Sequence, residues 1–267
     1  MLFLAPILTY KLTNFDGRHS YDTSSLKHIT TGGTPISATQ LERISTVFNH
    51  SDILFVYGCT EAGIVSTFNP ITEQVLMRTK LGSCGKAAPG MTIKIVDVST
   101  NQTLGANQKG EVCVKSCTTM KGYYKAASTA AFDSDGFLKT GDIGYYDSDG
   151  CLYVIERLKE MFKYLSWHVV PSSIEAVLLE HPGIKEAVVF GTPKSEEEGE
   201  VPTACVILKE KGCVREEEIE EFVEKRVSDY ERLRGGVIFV DELQKTPSGK
   251  LMRKEIRNNI LRETTKL

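Results

Sequence analysis

The apolar residues of this chain keep three rhythms, and each change of rhythm limits what can fold there. Between 25 and 70, short apolar runs flank one helical period. Residues 26–29 and 53–56 read as strands, and Thr31-Gly32-Gly33-Thr34-Pro35 reads as a tight loop. Ser37 is placed to cap a helix with Leu41, Ile44 and Phe48 on one face. Strand, helix, strand at this spacing predicts a βαβ unit of a larger parallel sheet. Between 81 and 155 the runs shorten and alternate. Strands are expected at 92–98, 110–114, 137–139 and 152–155, parted by the turn clusters Asp133-Ser134-Asp135-Gly136 and Asp147-Ser148-Asp149-Gly150. That pattern predicts a small, barrel-like β subdomain. From about 160 the rhythm mixes. Helices are expected at 172–180, 216–227 and 253–261, and strands at 187–190, 204–208 and 237–240, a compact α+β domain with its own core.

The bulk numbers exclude more than they assign. A chain of 267 residues suits one large or two modest domains. A net charge of -3 gives no global basic field for nucleic acid or an anionic membrane. The run Ser195 to Glu200 reads as a solvated acidic loop, and 215–226 as an amphipathic helix with Ile219, Phe222 and Val223 inward. Seven cysteines with no Cys-x-x-Cys, beside five scattered histidines, point away from zinc and towards a reducing compartment. The apolar start, Met1 to Leu8, lacks the basic flank and cleavage site of a signal peptide, and no stretch is long enough to span a bilayer.

Four short segments carry chemistry. Tyr57-Gly58-Cys59-Thr60-Glu61 follows an apolar run, where a parallel sheet builds nucleotide sites. An aromatic ring offers a stacking face, Gly58 allows close backbone approach, Thr60 offers a hydroxyl and Glu61 a hard oxygen for Mg²⁺. The plain reading is a strand-end turn with a half-buried tyrosine. Thr140-Gly141-Asp142 sets a carboxylate after a glycine turn, able to accept from two ribose hydroxyls; its plain reading is a turn aspartate. Glu156-Arg157-Leu158-Lys159 sits where the β subdomain gives way to the α+β domain and also reads as a simple linker, with Arg157 in a surface ion pair. In Thr246-Pro247-Ser248-Gly249-Lys250 a turn enters the last helix. Lys250, Arg253 and Lys254 crowd its N-terminal end, where the helix dipole disfavours cations. Something other than helix stability is expected to place them there. No Walker loop occurs.

In this order, over about 21–262, these segments resemble the acyl-adenylate-forming (AMP-binding) enzymes, the group of acyl-CoA synthetases, 4-coumarate–CoA ligases and beetle luciferases. The resemblance implies that Tyr57 stacks on adenine, Thr60 contacts phosphate and Glu61 helps hold the metal. It implies that Gly33, Thr34 and Pro35 border adenine and the acyl pocket, and that Asp142 and Arg157 hold the ribose. Lys159 matches the hinge pivot, with Glu156 for the usual aspartate. Lys250 matches the lysine that reaches the acyl carboxylate and α-phosphate, and Lys163 serves the second step. Leu165-Ser166-Trp167 stands where Lys-Gly-aromatic is usual, so a serine Cβ narrows the CoA channel that Trp167 lines, unless Trp167 is simply core.

The family's Ser/Thr/Gly-rich phosphate loop is not in this chain, which therefore resembles the C-terminal half of such an enzyme, starting at its own methionine. Residues 1–157 would be the C-terminal part of the AMP-binding core, a βαβ remnant over 1–80 and the β subdomain over 81–157. Residues 158–267 would be the mobile C-terminal domain. A sheet edge is expected near Tyr57. The implied reaction activates a carboxylic acid, a fatty acid first and an aromatic acid second, with ATP and Mg²⁺, and transfers it from AMP to CoA. The alternatives are a non-catalytic nucleotide- or CoA-binding fragment associating with a longer relative, and luciferase-like oxidation of the adenylate. Thr265-Lys266-Leu267 approaches the peroxisomal Ser-Lys-Leu signal, leaving a peroxisomal or cytoplasmic location.

Overall fold

The computed structural model describes residues 1–4, 6–13, 15, 17, 20–33, 38–124, 131–246 and 250–264. They form two compact units, Met1–Ile155 and Glu156–Leu267, holding three sheets between them.

In the first unit, β1 (Leu2–Leu4), β2 (His28–Gly32) and β3 (Asp52–Cys59) run parallel. Helix α1 (Pro6–Thr13) crosses from β1 to β2, and α2 (Ala38–Val47) from β2 to β3. The crossover follows from the apolar spacing. Ile44 and Phe48 bury against Ile29, and Leu41 against Phe55. Thr9 donates to Thr31 at 3.2 Å, tying α1 to β2. The expected βαβ unit is therefore present, though the segment read as a tight loop begins as strand, with Thr31 and Gly32 in β2. Ser37 lies outside the described residues. The sheet turns antiparallel through β4 (Gly63–Thr67) and β5 (Lys86–Ala87), preceded by α3 (Gln74–Thr79). Strand β3 lies inside the sheet, whose edges are β1, with Phe3 exposed, and β5; its pairing with β2 ends at Val56, and Tyr57 pairs with Ser66 of β4.

The second sheet of this unit runs in the order β10-β9-β8-β6-β7: β6 (Thr92–Val96), β7 (Thr103–Leu104), β8 (Gly110–Lys115), β9 (Leu138–Tyr146) and β10 (Leu152–Arg157). It is an open antiparallel path, and no closed barrel forms among the described residues. Ile95, Val112, Val114, Leu138 and Leu152 fill one face with Val65 of β4. The two Asp-Ser-Asp-Gly clusters are tight turns pinned by lysines, Lys94 on Asp133 at 2.7 Å and Lys80 on Asp147 at 2.8 Å.

The second unit is a sheet covered on both faces. Its strands are β11 (Phe162–Tyr164), β12 (Trp167–Val169), β13 (Ile184–Ser195), β14 (Gly199–Leu208) and β15 (Val237–Phe239). Side-chain alternation sorts the core. Ala187, Val189, Ala204 and Val206 face α4 (Pro171–Glu180) and α5 (Glu216–Glu224), meeting Ile174, Leu178, Ile219 and Val223. Val188, Phe190 and Cys205 face Ile256 of α6 (Arg253–Thr264). Pro171 opens α4 at a position where its missing N–H costs nothing. The run 195–200 straddles the β13–β14 turn: 195–197 are exposed, while Glu200, already in β14, is half-buried and pairs with Arg257.

Candidate active site

Strand β3 runs through Tyr57-Gly58-Cys59 rather than stopping before it, and Thr60-Glu61-Ala62 is the tip of a hairpin to β4. Gly58 does permit a close approach, but to its own partner strand. A Cβ there would lie 2.5 Å from the Gly63 carbonyl oxygen. Tyr57 packs its ring against two apolar clusters, and its hydroxyl donates to Asp142 Oδ2 at 2.6 Å. Burial, and then the Asp142 carboxylate, push the phenol far above its ordinary range, so it stays a donor. Glu61 sits at the hairpin tip, where Tyr123 Oη donates to its Oε1 at 2.9 Å. The Glu61 carbonyl accepts from Met120 N at 2.7 Å, and Thr118 Oγ1 donates to the Ala62 carbonyl at 2.9 Å. The 116–124 segment thus braces the tip.

Thr140-Gly141-Asp142 is not a turn after a strand. It is a bulge inside β9: Glu111 pairs with Ile143 and Cys113 with Lys139, so three residues face Val112 alone. Gly141 takes φ +71°, which a glycine adopts without a Cβ penalty. The bulge is held from both sides. Thr140 Oγ1 donates to the Val112 carbonyl at 2.8 Å and accepts from Asp142 N at 3.1 Å, while Gly141 N donates to Glu111 Oε1 at 3.1 Å. The result is a carboxylate only 4% exposed, aimed at a phenol carried by a strand 85 residues away in sequence. Gly33, at φ +98°, closes β2 with open space where a Cβ would sit; Thr34 and Pro35 lie outside the described residues.

The remaining predicted residues belong to the second unit. Arg157 ends β10 and is exposed, and Lys159 is exposed in the turn that follows. Lys163 is exposed on β11, directly across from His168 on β12. Trp167 is not core: it is 58% exposed and stacks on Tyr230 at 5.0 Å. The left-handed residue of this hairpin is Leu165, at φ +52°, not Ser166. The strain therefore falls one residue before the position where a glycine is missing. Lys250 is half-buried; its N–H donates to Thr246 Oγ1 at 3.1 Å and its carbonyl accepts from Thr246 N at 2.8 Å.

Three features escaped the sequence reading. Tyr123, bracing Glu61, is signalled only by an aromatic after Gly122. Glu111 and Thr140, holding the bulge, look like ordinary strand residues. Arg253 is the third. Its guanidinium, 13% exposed, is ringed by Glu156, Glu160 and Glu175. Glu156 also accepts from Ser172 N at 2.9 Å, and Glu175 from Val189 N at 2.8 Å. With three carboxylates around one cation, burial and the neighbouring Glu156 raise the Glu175 carboxyl to about 8.

These groups can bind and orient anions and hydroxyls. A single braced carboxylate, Glu61, suits an ion such as Mg²⁺ that takes most of its shell from water and phosphate oxygens. No group of three or more His, Cys, Asp or Glu among the described residues could hold a metal by itself.

Residues 1–124 match the family model described as AMP-binding enzyme, and 173–250 the AMP-binding enzyme C-terminal domain. The chain is 37% identical over 260 residues to 4-coumarate–CoA ligase 1 of Glycine max, covering 96% of this chain and 88% of that one. It is 36% identical to the luciferin 4-monooxygenase of Luciola mingrelica across 100% of this chain, and spans about half, 48%, of that protein. The crystal structure of ATP-bound MatB from Rhodopseudomonas palustris superposes with a TM-score of 0.86 at 26% identity, over 98% of this chain and 50% of that one.

Proposed function

The chain belongs to the AMP-binding enzyme family, and from that premise we propose that it takes part in ATP-dependent activation of a carboxylic acid as acyl-AMP, followed by transfer to CoA. The observation that carries the reading is the buried Asp142 on its glycine bulge, oriented by the Tyr57 hydroxyl. A carboxylate fixed in that way meets a diol without reorganising, and the tyrosine ring supplies apolar surface beside it for a base.

Each residue then has a task. Asp142 accepts from the ribose hydroxyls, with Arg157 as the ribose's second contact. Gly33, Thr34, Pro35 and Gly58 line the nucleotide by backbone. Thr60 donates to a phosphate oxygen, and Glu61, held by Tyr123, contributes one oxygen to Mg²⁺. When bound, that ion neutralises phosphate charge. Lys250 sets a point charge between acyl carboxylate and α-phosphate, two anions that repel each other, and stabilises the charge that develops as pyrophosphate leaves. Lys163 and Trp167 serve the thioester step, the lysine by charge and the exposed indole as a face for CoA. Lys159 serves as the pivot between the two steps.

The acid is proposed as fatty or aromatic. The substrates in the relatives' names, 4-coumarate and luciferin, favour testing aromatic acids first. The likeness to luciferin 4-monooxygenase also keeps oxidation of the adenylate as a second reading. A third reading is a module that binds nucleotide or CoA without turnover, alone or beside a longer relative. Thr265-Lys266-Leu267 supports a peroxisomal location, with the cytoplasm as the other option.

The test is pyrophosphate release from ATP by the purified chain across aromatic and fatty acids, with Lys250→Ala as control. Acid-dependent release that collapses in the variant supports adenylation here. A folded chain that binds ATP and releases nothing supports the binding module.

A further inference from the structure

Arg253 occupies the worst position for a cation in a helix, the first turn of α6, and is only 13% exposed there. Its terminal nitrogens reach three carboxylates from separate places. Nη2 donates to both oxygens of Glu175 on α4, at 2.9 and 3.0 Å. Nη1 donates to Glu160, in the turn after β10, and lies 3.7 Å from Glu156 at the end of β10. Glu156 and Glu160 bracket Lys159. Arg253 itself follows Lys250 by three residues, and the loop between is closed by a β-bridge, Lys245 to Leu251, and by Met252 N donating to the Gln244 carbonyl at 2.9 Å.

We propose that Arg253 is a positioning residue that fastens the loop carrying Lys250 to the segment carrying Lys159, so that both lysines keep one geometry within this unit. The inference rests on the adenylation reading for its consequence, but not for its geometry. A planar fork is what the job requires. It satisfies Glu175 with one edge and the Glu156–Glu160 segment with the other, which the compact ammonium of a lysine cannot do. Burial makes the tie strong, because Glu156 and Glu175, only 3% and 14% exposed, have little water to replace a lost donor.

The experiment uses the full chain and residue-resolved amide exchange in Arg253→Met, Arg253→Lys and Glu160→Gln. Each relevant amide is hydrogen-bonded: Glu160 and Met161 to the Arg157 carbonyl, Lys250 to Thr246 Oγ1, Met252 to the Gln244 carbonyl. Arg253→Met is expected to speed exchange at both groups by roughly ten- to a hundredfold, with β13 and β14 unchanged. Arg253→Lys, which keeps the charge and loses the fork, is expected to leave most of that loss in place. If Arg253→Met fails to fold, Glu160→Gln decides, since Glu160 is 31% exposed and its substitution spares the core. It should loosen the Lys250 and Met252 amides as well as its own turn. Loosening confined to one group, or full rescue by lysine, overturns the proposal. A parallel arm measures pyrophosphate release: kcat falls in Arg253→Met while KM for ATP moves less than about twofold. A wild type without release defeats the adenylation reading and leaves the exchange result to judge the tie.

Discussion

The two units hold their candidate residues in opposite ways. In the first, the half-buried Tyr57 and the buried Asp142 stand on sheet strands and are bonded to each other at 2.6 Å. In the second, Lys159 and Lys163 are exposed, and Lys250 lies on a loop beside a helix start. A strand in the middle of a ladder cannot move without breaking its neighbours' bonds, so the groups that would recognise a nucleotide are set in advance. Lysines on a turn, a loop and a short hairpin can be presented to a ligand at little cost to the core. Fixed recognition groups and deliverable cations are what a two-step transfer asks of a protein.

Substitutions at the two kinds of position should therefore separate activity from stability. The largest effect is expected from Lys250→Ala. If the chain adenylates, pyrophosphate release should fall on the order of 10²- to 10³-fold, the loss typical of one preorganised charge, while the melting temperature stays within about 1 °C. A large drop in melting temperature would show that Lys250 is part of the scaffold and break the contrast.

Next comes pH. Burial, and then the neighbouring Glu156, raise the Glu175 carboxyl from its ordinary 4.5 to about 8 in the folded chain. Between those values the folded chain keeps a proton that the unfolded chain has lost, so the contribution is present below about 4.5 and disappears as pH rises through about 8. The groups facing it are Arg253 and Glu156, with the Val189 amide; Glu160 lies on the far side of the Arg253 fork, on Nη1. Unfolding of this unit, followed by the single tryptophan, Trp167, should shift to lower temperature from pH 5 to 8.5. Glu175→Gln should flatten that slope. An identical slope in the variant would assign the titration to another group.

Tyr57→Phe probes the rigid side. It removes the donor that Asp142 faces and should cost about 1–2 kcal/mol in chemical unfolding. It should also weaken ATP binding, read by calorimetry, more than it changes Lys250-dependent rate. No loss of stability would mean that other donors suffice for Asp142.

How far the sequence could be read follows the same divide. The βαβ unit was legible because Leu41, Ile44 and Phe48 recur at helical spacing and all bury. Strand ends were not. Both β3 and β9 continue through small and polar residues, Tyr57-Gly58-Cys59 and Thr140-Gly141-Asp142, where apolar rhythm stops but ladder bonding does not. Gly141 looked like a turn because a positive φ serves a bulge as well as a turn. The crowding of cations before α6 was visible, and the physical conflict it signals is real. Its resolution was not visible, since the carboxylates that answer Arg253 lie 78 and 93 residues away, and glutamates are ordinarily solvated. Tyr123 reaches Glu61 across 62 residues with nothing local to announce it.

The smallest effect sharpens the comparison most, because it has the opposite sign. The β11–β12 hairpin turns through Leu165-Ser166, and Leu165 is held at φ +52° while 53% exposed. A leucine gains nothing from burial there and bears the steric cost of the left-handed region, which a glycine escapes. The position is fixed from outside by Leu165 N donating to the Glu198 carbonyl at 2.7 Å, so the backbone would not relax away. Leu165→Gly should therefore stabilise the unit by up to about 0.5–1 kcal/mol, the relief exceeding the extra freedom glycine has when unfolded. The same change at a strand-borne site would only destabilise. If Leu165→Gly stabilises and slows thioester transfer to CoA, the strained turn is a device for presenting Lys163 and Trp167, held at a small cost in stability. If it stabilises and leaves transfer unchanged, the strain is incidental, and presentation of those residues depends on Tyr164 pairing with Gly199 and Trp167 stacking on Tyr230.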